Sequence, residues 1–155
     1  MHEPGLATLL SLLGPAVDAA VLQALEGTGL RRGHGYLVQR LLVAPATATE
    51  LAADLGVTQQ AVSKSVRELL ALGHVEFAPG AGDRRRRPVR LSAQGRDAVA
   101  RARAARADID ARIVQQVGAG PVEAARAVLV EALEVLGIRE QVERRVITPD
   151  DGRVS

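Results

Sequence analysis

Residues 47–95 read TATELAADLGVTQQAVSKSVRELLALGHVEFAPGAGDRRRRPVRLSAQG. Thr47-Ala48-Thr49-Glu50 has the S/T-x-x-E spacing in which hydroxyl and carboxylate satisfy each other's orphan N–H groups, so it opens a helix. Leu51, Ala52 and Leu55 give that helix one apolar face. Gly56 stops it, because a residue without Cβ enters the left-handed region at little cost. Thr58 then caps a second helix, with Val62, Val66, Leu69 and Leu70 inward and Gln59, Gln60, Ser63, Lys64 and Arg67 on the other side. After Gly73 the order His74-Val75-Glu76-Phe77-Ala78 alternates as a half-buried strand does. Pro79 to Asp83 is turn-rich, Arg84 to Arg87 are four consecutive guanidiniums, and Pro88 to Leu91 form a returning strand.

Two short helices joined by a three-residue turn with Gly form a helix-turn-helix. Its outer face carries side chains that can read base edges: Gln pairs with adenine, Ser with either partner, and Lys or Arg with guanine or phosphate. An amphipathic helix that shows water the same residues is the plainer reading of that face. Four adjacent Arg repel one another and stabilise nothing in a hairpin, but their planar forks match phosphate oxygens. They also suit a narrow minor groove, where negative potential is enhanced. A solvated charge run is the alternative there.

The segment resembles the winged helix-turn-helix of the MarR family of bacterial transcriptional regulators. The matching motifs are E-L-A-x-x-L-G-V-T at Glu50 to Thr58, A-V-S-K-x-V-x-x-L at Ala61 to Leu69, D-x-R at Asp83 and Arg85, and R-L-S-x-x-G from Arg90 to Gly95. The resemblance implies a mainly α fold with a small β-hairpin wing and long dimerisation helices. It places Thr58, Gln59, Gln60, Ser63, Lys64 and Arg67 at a major groove, and Arg84, Arg85, Arg86 and Arg87 in the wing contact, with Asp83 holding an Arg. The partner implied is double-stranded DNA at a palindromic operator, bound by a homodimer acting as a repressor. Family members also take a small aromatic or anionic effector in a cleft, which by analogy would draw on His34, Tyr36 and Arg40.

Composition agrees with this reading. A chain of 155 residues allows one core, and aromatics make up only 1%. The net charge of +2 hides a segregation: residues 57–106 hold eleven basic against four acidic groups, while both flanks are net acidic. Such a chain directs its positive field to one surface. With no cysteine, disulfides and thiolate metal sites are excluded. His2, His34 and His74 are scattered, and no G-x-S-x-G, Walker or dinucleotide motif is present, so neither enzyme nor cofactor nor metal site is expected. Gly14-Pro15 and Asp18 interrupt the apolar N-terminal stretch, so no membrane span or secretory signal is expected, and a cytoplasmic protein is.

The organisation expected is residues 1–45 as N-terminal helices, 46–92 as the winged lobe, 93–137 as long helices and 138–155 as a charged extension and tail. Gly14-Pro15 predicts a kink or break between Leu6–Leu13 and a second piece running to Glu26. Leu37, Val38, Leu41 and Leu42 mark a short helix. Ser92 caps a long helix to about Val117, and Gly120-Pro121 opens the last, with Pro121 at its first position. The two long helices carry more apolar surface than the small head covers, so either a C2 dimer or an intramolecular hairpin must bury it. Rival functions are a winged helix that binds protein, and a small-molecule-binding protein without DNA specificity.

Overall fold

The computed structural model describes residues 3–80 and 87–140. The expected Arg84, Arg85 and Arg86 contacts and Asp83 therefore lie outside the described residues. Helix α1 spans Leu6–Ala24; a single 3₁₀ turn, Arg32–His34, leads into α2, Gly35–Leu41. Helices α3 (Ala48–Leu55) and α4 (Gln59–Ala71) are followed by strands β1 (Val75–Phe77) and β2 (Val89–Leu91). Helices α5 (Ala93–Val117) and α6 (Ala119–Val135) complete the order.

Local chemistry sets the boundaries of the central lobe. The Thr47 amide donates to Glu50 Oε2 at 2.7 Å and the Glu50 amide to Thr47 Oγ1 at 3.3 Å, closing the box that opens α3. Gly56 ends that helix at φ 65°, ψ 34°. Thr58 Oγ1 accepts from the Ala61 amide at 3.2 Å to start α4, and Ser92 Oγ accepts from Gly95 at 3.1 Å to start α5.

β1 and β2 pair antiparallel in the register Val75–Leu91, Glu76–Arg90, Phe77–Val89. Ala46 adds a bridge to Val89, its amide donating at 3.1 Å and its carbonyl accepting at 2.9 Å, so the chain before α3 is fastened to the hairpin's second strand. Beneath these elements lies one apolar core that includes Leu37, Leu41, Leu51, Val62, Leu69, Val75 and Leu91. Burying a Leu such as Leu69 contributes roughly 1.5–3 kcal/mol, so α4 cannot leave this surface without losing most of its support.

The N-terminal helix corrects one expectation. Of the kink or break expected at Gly14-Pro15, the break does not occur: α1 runs as one helix with Pro15 inside. Proline removes one helical hydrogen bond, but Ser11, Gly14 and Pro15 are all exposed, so water can serve the freed carbonyl. By length and composition α1 would also suffice to cross a membrane, with a mean hydropathy of 1.5 over its best window. Its C-terminal half is instead tied down within the chain. Val21 and Leu25 pack with Ala98, Asp18 pairs with Arg32 at 2.8 Å, and Arg101 donates to the Ala24 carbonyl at 2.6 Å. A guanidinium at the carbonyl end of a helix also complements the helix dipole.

The two C-terminal helices form no closed hairpin. α6 has no buried residue, and Ile113, Val114, Val117, Val128, Leu129 and Leu136 are all exposed. Pro121 sits third in α6 rather than first, still within the turn whose amides need no partner.

Candidate nucleic-acid interface

The polar face of α4 is accessible. Thr58, Gln59, Gln60, Lys64 and Arg67 are exposed and Ser63 is half-buried, while Val62, Val66 and Leu69 hold the opposite side in the core. At 100° per residue, Gln59, Gln60, Ser63, Lys64 and Arg67 fall within one continuous side of the helix. They form a cationic, hydrogen-bonding edge on a helix fixed at its start by Thr58. Gln59 is further oriented from α3, its Nε2 donating to Thr49 Oγ1 at 3.0 Å. A primary amide keeps a second N–H and a carbonyl after that bond, enough for a bidentate contact with adenine.

Of the wing arginines, Arg87 is described, and it faces back into the hairpin. Its guanidinium lies 5.6 Å from the Phe77 ring centroid and donates to the Ala78 carbonyl at 3.5 Å. It braces the base of the hairpin. Three residues further along the same arm, Arg90 of β2 pairs with Glu76 of β1 across the ladder at 2.7 Å.

His34, Tyr36 and Arg40 are not brought together. His34 is 2% exposed and lines a cavity of about 100 Å³ between α1, the 3₁₀ turn, α2 and α5. Tyr36 is half-exposed and lines a separate apolar cleft with Leu37, Leu55, Val57 and Val62. Arg40 is bonded to Asp54 of α3 at 2.6 Å and to the Ala44 carbonyl at 3.3 Å. Around the first cavity the cations are Arg31, Arg32 and Arg106, and the apolar wall includes Val21, Leu25, Val38 and Ala98. The spacing of the sequence did not single out those arginines. Only the packing of α1 on α5 brings Arg106 and the Arg31-Arg32 pair to one opening.

One carboxylate links the cavity to α4. Glu68 accepts from His34 Nε2 at 2.9 Å and from the Arg31 guanidinium. The bond from His34 and then that from Arg31 hold its carboxyl below the ordinary carboxylate range. Glu50 is lowered similarly by the Thr47 amide and hydroxyl. Among the described residues no group of three or more His, Asp or Glu could hold a metal ion.

Comparison with known proteins bears on this geometry. The model of the MarR family matches residues 28–86, from the loop after α1 to the Arg run. Over that segment the chain is similar to the MarR family, and its winged-helix fold is shared by solved members of that family. The M. tuberculosis MarR family protein Rv2887, solved with salicylic acid, is 28% identical, with a TM-score of 0.56 over 84% of this chain and 97% of that one. The MarR family transcription regulator SP03579 gives a TM-score of 0.66 at 20% identity, covering 88% of each chain. S. aureus MepR in complex with DNA gives 0.65 at 22% identity, over 84% of this chain and 98% of that one. Among curated protein sequences no match was found.

Proposed function

We propose that the chain is a sequence-specific, double-stranded DNA-binding transcriptional regulator that acts in the cytoplasm as a homodimer. The observation that carries the proposal is the exposed edge from Thr58 to Arg67. It is a row of base-reading and phosphate-binding side chains on a helix whose other side is locked in the core. The edge enters a major groove, with Gln59, Gln60 and Ser63 meeting bases and Lys64 and Arg67 meeting phosphates or guanine. The wing run from Arg84 to Arg87 adds affinity along the backbone or in the adjoining minor groove, with Arg87 bracing rather than touching. MepR, of like fold, was solved with DNA, which agrees with this assignment.

The homodimer is supported by the exposed apolar face of α6 and by Leu6, Leu9, Leu12 and Leu13 on α1, which none of the described residues covers. A second copy related by a two-fold axis would bury both, and would present two α4 edges to the halves of a palindrome about one helical turn apart. Such a dimer seated across a promoter excludes polymerase, so repression is the proposed sign of action. The effector proposed is a small organic anion at the cavity bordered by Arg31, Arg32, Arg106 and His34. Its Val and Leu wall takes an apolar body, and a carboxylate is taken by Arg106 and, in exchange for their pairings with Asp18 and Glu68, by Arg32 and Arg31. Salicylic acid, the ligand solved with Rv2887, has this chemistry. At about 100 Å³ the space is below the usual range for ligand sites, so the occupant is small or widens it on entry.

The test is the salt dependence of binding to a mixed-sequence duplex. Counterion release predicts that log K falls linearly with log salt, with a slope of about −0.9 for every phosphate neutralised. Several such contacts are expected per dimer, hence a steep line. A flat line, or no binding in dilute buffer, favours a winged helix whose partner is protein.

A further inference from the structure

His34, together with Arg31, ties the segment before α2 to the middle of α4, where the remaining contacts of that helix are apolar. Its ring is almost fully buried and forms part of the wall of the cavity among α1, α2 and α5. The Arg31 backbone N–H donates to Nδ1 at 3.3 Å. A backbone amide can only donate, so Nδ1 is the bare nitrogen and the ring proton resides on Nε2. That N–H donates to Glu68 Oε2 at 2.9 Å, and the Arg31 guanidinium reaches the same oxygen. Glu68 belongs to α4 and follows Arg67 of the exposed edge by one residue.

Elsewhere α4 is attached to the body by the side chains of Val62, Val66, Leu69 and Leu70 in the core, and at its first residue by the bond from Gln59 to Thr49, nine positions before Glu68. Apolar packing fixes how deep a helix lies but tolerates small rotations about its axis. A directional hydrogen bond to a charged group does not. A rotation of α4 would swing Gln59, Gln60 and Ser63 relative to the base edges, where productive geometry is narrow.

We propose that His34, acting through Glu68, is a positioning residue that sets the rotation of the reading helix and so its discrimination between DNA sequences. The inference rests on the DNA-binding reading given above. Because the same ring borders the cavity, an anion seated there competes with Glu68 for Arg31 and His34 and loosens that setting.

The test compares affinities for a duplex selected from a random pool and for its scrambled counterpart. The proteins are wild type, His34→Leu, Glu68→Gln, the double variant and His34→Gln, whose amide nitrogen reaches as far as Nε2. The expected result is a fall of about ten-fold in the ratio of the two affinities for each single variant, typical of coupling between linked sites. The double variant should show little further fall, since both changes act on one bond: leucine removes its donor, and the neutral amide of glutamine replaces its charged acceptor. His34→Gln should recover most of the ratio, and the salt slope should stay as in wild type, because neither residue touches phosphate. Plain electrostatics predicts the opposite for Glu68→Gln: removing a negative charge tightens binding to both duplexes alike. That outcome, an unchanged ratio, or additive losses would overturn the proposal.

Glu68 is partly exposed, so Glu68→Gln folds even if His34→Leu does not. Nitrogen-15 spectra of labelled histidine give a second readout that needs no DNA. They should show His34 as the Nε2–H form, with that proton exchanging faster in Glu68→Gln; the Nδ1–H form would overturn the bond itself. A wild-type protein that binds no duplex, with the Nε2–H signal intact, would defeat the DNA reading and leave the bond standing.

Discussion

Replacing Arg84, Arg85, Arg86 and Arg87 together by Ala is expected to weaken duplex binding on the order of 100-fold at physiological salt. The loss is electrostatic. Consecutive guanidiniums gain nothing from each other, and each one matched to a phosphate releases a condensed counterion. Arg87 is already engaged with Phe77 and the Ala78 carbonyl, which leaves three arginines per copy for the backbone. Six contacts in a dimer would flatten the salt line by up to about 5 in slope. The single change Arg87→Ala should lower the stability of the hairpin and leave the slope nearly unaltered. Equal slopes for wild type and the quadruple variant would remove the wing from the interface and favour a solvated charge run.

Gly95→Ala is expected to destabilise the fold by roughly 3 kcal/mol, at the upper end for overpacking a core. A Cβ built at Gly95 lies 2.0 Å from the carbonyl oxygen of His74, and that oxygen belongs to the backbone. It cannot retreat freely. It accepts from the Ser92 amide at 3.0 Å, the His74 amide donates to the Leu69 carbonyl at 3.0 Å, and the fully buried His74 ring bonds the Thr28 carbonyl at 2.8 Å. The loop after α1, the end of α4 and the start of α5 therefore meet at one point, and a methyl group must part them. Gly35→Ala is the control. Gly35 has helical φ and ψ with nothing within 4 Å of an added Cβ, so that change should be neutral or stabilise by up to ~1 kcal/mol. Urea denaturation of the two variants reads both effects. Comparable midpoints would show that α5 can shift away from the hairpin, contrary to the packing.

Features written as contacts three or four residues apart were legible in the sequence. The Thr47–Glu50 box, the left-handed Gly56, and the caps at Thr58 and Ser92 are local hydrogen-bond patterns, and their residues are adjacent on the page. The continuity of α1 was not. Whether Pro15 breaks a helix depends on whether its lost bond is buried, and exposure is a tertiary property. His34, Tyr36 and Arg40 are grouped only by analogy with a family cleft, which says nothing of how this chain packs them. A helix start at Gly35 turns Tyr36 away from His34, and Asp54 takes Arg40. The His34–Glu68 bond crosses 34 positions and the contact of Gly95 with His74 twenty-one, so no local spacing announces either. For Gly95 the motif identified the residue, and the packing supplies the reason.

The central claim is that the Thr58–Arg67 edge reads double-stranded DNA as one half of a symmetric pair. Selection from a pool of random duplexes at physiological salt tests it most directly. The account predicts enrichment of a two-fold symmetric motif with half-sites about one helical turn apart. It also predicts that Gln59→Ala or Gln60→Ala relaxes the preference at matching positions in both halves. A pool that returns unenriched, or a motif indifferent to every residue of that edge, would contradict it.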